Sequence, residues 1–273
     1  MLTDLSFIDI FCRIALLPSQ EFFFVSLLII GFIFLRKEAF ARAFFIFAFA
    51  MIFNRFLKGI FQVPLPPGVN PNSWAFPSGH MQTASTFWLW LAWEYKNKIF
   101  YIFTALLLAC IGFALIHCGY HYPADIAGAL FFALVTLMLY QLLIKNPFLY
   151  KNPPFIGFVL ALVAIPFMIF TDKLTKHLFL WVAFGSLLGF STGWLINNKF
   201  CSKVSNASFR IKLFILIVDI IGIVGIKLLF NLIPTKSFIT EGVQFFIIAL
   251  WLSSIPQCIT CALFNKDQLH KKL

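Results

Sequence analysis

The sequence predicts an all-α integral membrane protein, and three observations carry that expectation. Of 273 residues, 61% are hydrophobic and only 11% charged, whereas soluble domains carry about 25% charged residues. Mean hydropathy is +0.93. Nine apolar stretches, at 22–36, 39–57, 79–95, 99–117, 123–144, 155–171, 178–196, 211–232 and 239–264, reach or approach the ~17–25 residues a bilayer-crossing helix takes.

The elements follow in order. Leu5 to Leu17 is shorter and holds Asp9 and Arg13 four apart, a spacing that puts an ion pair on one helix face. It reads as an interfacial or re-entrant helix. Acids occupy the place where a signal peptide would be basic, so no secretory leader is expected. Span 39–57 runs into "FLKGIFQVPLPP" with Lys58, which serves either as a snorkelling lysine or as a ligand. The loop 62–76 holds four prolines and no charge; such backbone is extended and semi-rigid. With Trp74 and Phe76 at headgroup depth, the loop reads as a lid that admits a lipid sideways.

The next span opens on Pro77-Ser78-Gly79-His80. Pro, Ser and Gly suit a helix start for backbone reasons alone, yet a helix N-terminus also presents unpaired N–H groups to an anion. Span 99–117 ends in "HCGYHYPADIAG", where Pro123 suits a first helical turn and Asp125 follows His121 by four residues. A carboxylate so placed accepts a proton from the imidazole and fixes its tautomer.

Charge placement sets the topology. Fourteen Lys and Arg residues, including Arg36, Arg42, Lys96, Lys145, Lys203, Lys266 and Lys271, flank one set of span ends. Six flank the other: Arg13, Arg55, Lys58, Lys173, Lys176 and Lys236. This is a positive-inside bias. It accounts for the net charge of +11 without nucleic acid, and it places Lys58, His80 and His121 together on the non-cytoplasmic side, with the C-terminus cytoplasmic. Polar groups gathered at one membrane face indicate a site.

The order Lys58, Pro77-Ser78-Gly79-His80, His121-x-x-x-Asp125 resembles the membrane-bound type 2 phosphatidic acid phosphatase superfamily, which shares its core with vanadium haloperoxidases. The likeness covers residues 20–145 and implies a phosphatase-like core over 1–145, with additional transmembrane helices over 146–273. It implies phosphoryl transfer with no metal or other cofactor, on a lipid phosphate or phospholipid, at the outer face of a bacterial-type inner membrane. By the same resemblance His121 is the nucleophile, Asp125 orients it and His80 is the general acid. Lys58 and the backbone N–H groups of Ser78 and Gly79 hold the phosphoryl oxygens.

The family's two arginines are absent. Six residues on from Lys58 stands Leu65-Pro66 in place of Arg-Pro, and Ala114-Leu115 stands in place of Ser-Arg before His121. One lost oxyanion donor removes roughly 2.7–4 kcal/mol of transition-state stabilisation. Three accounts follow. Arg55, three residues before Lys58, and His117, four before His121, replace the guanidiniums, although Arg55 also reads as an interfacial anchor. Alternatively the substrate is a phosphodiester with a single charge, as in the similar sphingomyelin synthases. In the third account the chain has lost catalysis and only binds lipid.

Elsewhere, Asp219 lies mid-span with Lys227 two turns on, which suggests structural pairing or a polar cavity. Glu241 and Lys236 belong to the outer rim. Cys258-x-x-Cys261 sits in an apolar run and reads as helix packing. The Asn206-Ala-Ser sequon falls on the cytoplasmic side.

Overall fold

A computed structural model describes residues 6–69, 73–174, 178–200, 208–233 and 237–263, and over these the chain is helical. The elements are α1 (Phe7–Leu16), a 3-10 turn (Leu17–Ser19), α2 (Glu21–Phe34), α3 (Lys37–Phe61), α4 (Gly79–Tyr95), α5 (Lys98–His117), α6 (Pro123–Ile144), α7 (Pro147–Lys151), α8 (Pro153–Leu174), α9 (Leu178–Phe200), α10 (Phe209–Asn231) and α11 (Phe238–Leu263). Among the described residues seven helices are long and apolar enough to cross a membrane: α3, α5, α6 and α8 to α11. The protein is an all-α, multi-pass membrane protein. Lys176, Lys203, Asn206, Lys236, Lys266, Lys271 and Lys272 lie outside the described residues, as does the side chain of Lys173.

Two expected elements differ. The short N-terminal helix is joined to α2 across a 51° bend, so the two form a broken span or a re-entrant pair. The break follows from Pro18, which opens the 3-10 turn. On α1, Asp9 and Ser6 form a reciprocal capping box, and Asp9 faces His117 at 3.6 Å, not Arg13. The second difference is α4, which the apolar pattern gave as a span. It has 17 residues, the short end of what crosses a bilayer, and is not among the seven, yet it runs from the His80 end of the bundle to Glu94 beside Arg42. Its polar side chains Gln82, Ser85, Thr86 and Glu94 are buried by protein, so α4 is the central pillar of the bundle.

α4 packs on α3, α5 and α6, while α8 and α9 close the far side of α3. One continuous core runs from Cys12 in α1 to Ala249 in α11. At the end of the bundle remote from His80, Arg42 of α3 clasps Glu94 of α4 through two bonds of 2.5 and 3.1 Å. Tyr140 of α6 donates to the Arg42 carbonyl. This end is closed by a buried ion pair.

Candidate active site

Three helix ends build the site. At the C-terminal end of α3, Asn54 and Lys58 stand four apart and share a face. Asn54 Nδ2 donates to the Pro77 carbonyl at 3.1 Å and to Gln82 Oε1 at 2.8 Å. The Lys58 ammonium donates to the carbonyls of Trp74 and Ala75, the latter at 3.2 Å. The returning limb of the loop is therefore fastened to α3, with Ala75 N–H donating to the Val63 carbonyl at 2.7 Å. An ammonium has three N–H donors. Two are taken up by the loop, leaving one for a ligand.

At the N-terminal end of α4, Ser78 is the N-cap and its hydroxyl accepts from the Met81 N–H. The Ser78 N–H donates to the Asp125 carbonyl at 3.1 Å. It is thus spent in tying the Pro77–Ser78 turn to α6, and Ser78 is fully buried. The expected Ser78 backbone contact with phosphate does not fit this placement. Gly79, the first residue of the helix, does face the cavity, and its N–H has no intrahelical partner.

The third end is the turn from α5 into α6. Gly119 takes a left-handed conformation with φ 69°, which glycine adopts at no steric cost. The N–H groups of Tyr120 and His121 then both donate to the Leu115 carbonyl. His121 Nδ1 lies 3.3 Å from Asp125 Oδ2, and the same oxygen accepts from the Tyr122 N–H at 2.8 Å. A carboxylate that accepts a hydrogen bond from Nδ1–H holds the tautomer in which Nε2 has a free lone pair, the form a nucleophile needs. Burial, and next the positive charge of Lys58, pull the His121 pKa well below the ordinary imidazole range, with Asp125 acting in the opposite direction. His121 is neutral at pH 7.

These ends enclose a cavity of about 450 Å³ whose polar lining includes Arg55, Lys58, His80 and His121. Asp125 stands behind His121, 2% exposed. Arg55 lies with its guanidinium 4.9 Å from the Phe179 ring, so α9 reaches over the pocket. Leu65 and Leu115, which stand where the resemblance expects arginines, both line it. The missing guanidiniums are therefore replaced by apolar wall, and Arg55 is the cation that enters from another position. His117 does not line the cavity. It faces Asp9 and stacks on Phe113 at the outside of α5; α5 ends at His117, and the Gly119 turn carries the chain away from it to His121.

Three residues in or beneath the site carried no signal of their own in the sequence. Asn54 and Gln82 lie four residues from Lys58 and Ser78 respectively, but only their pairing across helices reveals the buttress under the Pro77 turn. Glu21, at the start of α2, brings a carboxylate to the same cavity. No trio of His, Cys, Asp or Glu among the described residues is grouped to hold a metal ion, and Cys258 and Cys261 are free thiols.

Fold and site together define a multi-pass membrane protein with a pocket at one end of its helical bundle lined by Arg55, Lys58, His80 and His121. Residues 39–148, from the first turn of α3 into α7, match the family model of the PAP2 superfamily. Lys58, the Pro77–His80 turn, His121 and Asp125 all fall inside the match. No curated protein and no solved structure matches the chain significantly.

Proposed function

We propose that the protein is a membrane-embedded phosphatase or phosphotransferase that acts on a lipid phosphate from the non-cytoplasmic side through a phosphohistidine. The observation that carries this reading is the convergence of His121, backed by Asp125, with His80, Arg55 and Lys58 on one cavity. His121 Nε2 attacks phosphorus; the N–P bond forms as the bond to the lipid oxygen breaks, and His80 delivers its proton to that oxygen. Water then attacks the phosphohistidine, His80 takes the water's proton, and His121 is released. Arg55, the remaining N–H of Lys58 and the Gly79 N–H stabilise the charge that builds on the equatorial oxygens, the main source of rate in phosphoryl transfer. The loop 62–76 serves as the lid, anchored through Lys58.

Leu65 and Leu115 in the lining support a second reading, a phosphodiester head-group transferase, since a single negative charge calls for fewer cations. Product analysis separates the two. Purified protein in detergent is offered phosphatidic acid, an isoprenyl pyrophosphate and a phosphodiester lipid, with His121→Ala as control. Inorganic phosphate that disappears in the variant supports the phosphatase. A released or transferred phosphorylated head group supports the transferase, and no turnover of any of the three argues against catalysis by this pocket.

A further inference from the structure

A second crevice, of about 100 Å³, lies between α2, α3 and α9 to α11, well apart from the phosphoryl pocket in its lining. Leu28, Phe32, Phe44, Phe190 and Ile248 are among its walls, and its polar side chains are Ser186 and Asp219 alone. Asp219 is 1% exposed, and neither of its carboxyl oxygens has a hydrogen-bond partner among the described residues. The sequence pattern pointed to structural pairing or a polar cavity at this position; the cavity is apolar and the pairing is absent. Lys227, eight residues further along α10, is about 12 Å away by helix rise. The other buried acids among the described residues are engaged, Glu94 by Arg42 and Asp125 by His121. An acid at mid-span is expensive, about 2.5–3.5 kcal/mol on insertion scales, and by default marks a function.

The chemistry of the crevice restricts what answers that carboxyl group. An amine would satisfy only the ionised form, and a carbonyl only the protonated one. A hydroxyl serves both, because it donates to a carboxylate and both donates to and accepts from a carboxylic acid. The rest of the ligand must be apolar, as the walls are. Its chain would lie along the apolar side chains of α2 and α11 that line the crevice, Val25, Ile29 and Leu252 among them, beside α10, the least buried of the spanning helices. We propose that this crevice binds the hydroxyl end of a long-chain alcohol dissolved in the bilayer. The site stands independently of the phosphoryl-transfer reading, although hydrolysis of a lipid phosphate would release a ligand of this class.

The test is photolabelling of the purified full chain with a diazirine-bearing hexadecanol, followed by peptide mapping. Label is expected on peptides of α2, α10 or α11, displaced by 1-dodecanol and not by dodecyl methyl ether, which lacks the donor. Asp219→Leu should lower labelling at least tenfold without loss of thermal stability, since it removes an unsatisfied buried group. Asp219→Asn, which keeps a donor and an acceptor, should retain most of it. His121→Ala should label like the wild type, which separates this site from the catalytic one. Equal displacement by the ether, displacement by dodecylamine alone, or undiminished labelling of Asp219→Leu would each overturn the proposal. The ether competition decides on the wild type even where a variant folds poorly.

Discussion

Arg55 is the residue on which the pocket's cationic character turns, because the motif arginines are leucines that line the same space. No carboxylate among the described residues lies within 4 Å of it, although Glu21 shares its cavity and interacts with it electrostatically; its close contact is the Phe179 ring at 4.9 Å. Arg55→Ala is therefore expected to lower kcat/KM about 100- to 1000-fold, the effect of losing one oxyanion donor, with the expression level and thermal midpoint near wild type. Turnover within a fewfold of wild type would assign Arg55 to anchoring. His121 sets the pH behaviour. Its folded pKa lies below the unfolded imidazole value of about 6.5, so the unfolded state takes up a proton first as the solution is acidified. The His121 contribution to stability is thus intact above that value and is lost as pH falls from it towards the folded pKa. For the same reason the acid limb of kcat/KM should lie below pH 6.5, measured with a substrate whose own titration is corrected for. An acid limb at or above 6.5 would mean a His121 that is not held neutral. At this scale the sequence was legible in its residue order: Lys58, His80 and His121 line one cavity, with Asp125 behind His121. It was illegible where a role exists only across helices. Asn54 gains its role from Pro77 and Gln82, and His117 loses its expected one as the Gly119 turn carries the chain away from it.

Helices were legible as apolar runs, since hydropathy registers the lipid that surrounds them. The exception was α4, whose burial is by protein, and hydropathy does not distinguish the two surroundings. Also beyond its reach was the way α9 meets α11. A Cβ added at Gly185 would come within 2.1 Å of the Gly242 carbonyl oxygen, and one at Gly189 within 2.1 Å of the Phe246 carbonyl oxygen. The two helices thus touch backbone to backbone along a stripe of small residues, the arrangement that lets helices associate in lipid where there is no hydrophobic drive between them. This contact matters to the site because α9 carries Phe179, the ring against Arg55. Gly189→Leu is expected to lower the thermal midpoint in detergent, at the 1–3 kcal/mol scale of an overpacked contact or above it, and to reduce turnover through displacement of α9. Gly225→Leu on α10, where nothing lies within 4 Å, is the matched control and should leave the midpoint unchanged. Equal loss of stability in both would place the effect in helix propensity or insertion and not in the α9–α11 contact.

Across the whole molecule, polarity runs along the bundle axis. One end is sealed by the Arg42–Glu94 pair, reinforced by an Arg36 bond to the Glu94 carbonyl at 2.9 Å. The other end holds the cavity, the loop fastened by Lys58 and the turn that carries His121. Arg42 entered the charge count as a flanking residue, and its burial against Glu94 removes it from the set that faces water. Lys96, Lys98, Lys145 and Lys151 remain at the sealed end and are exposed or partly so, so the excess of positive charge there persists. If that excess sets the orientation as it does in other multi-pass proteins, the sealed end is cytoplasmic and the cavity meets substrate on the opposite side. The prediction is one of accessibility. In a background whose native cysteines are replaced, Ser73→Cys in the loop should react in intact cells with a maleimide that does not cross membranes. Lys96→Cys, beyond the C-terminal end of α4, should react only after the membrane is permeabilised. The reverse pattern would invert the protein and require its substrate to be supplied from the cytoplasm. The catalytic geometry would be untouched, because no distance within the pocket depends on which way the bundle is inserted.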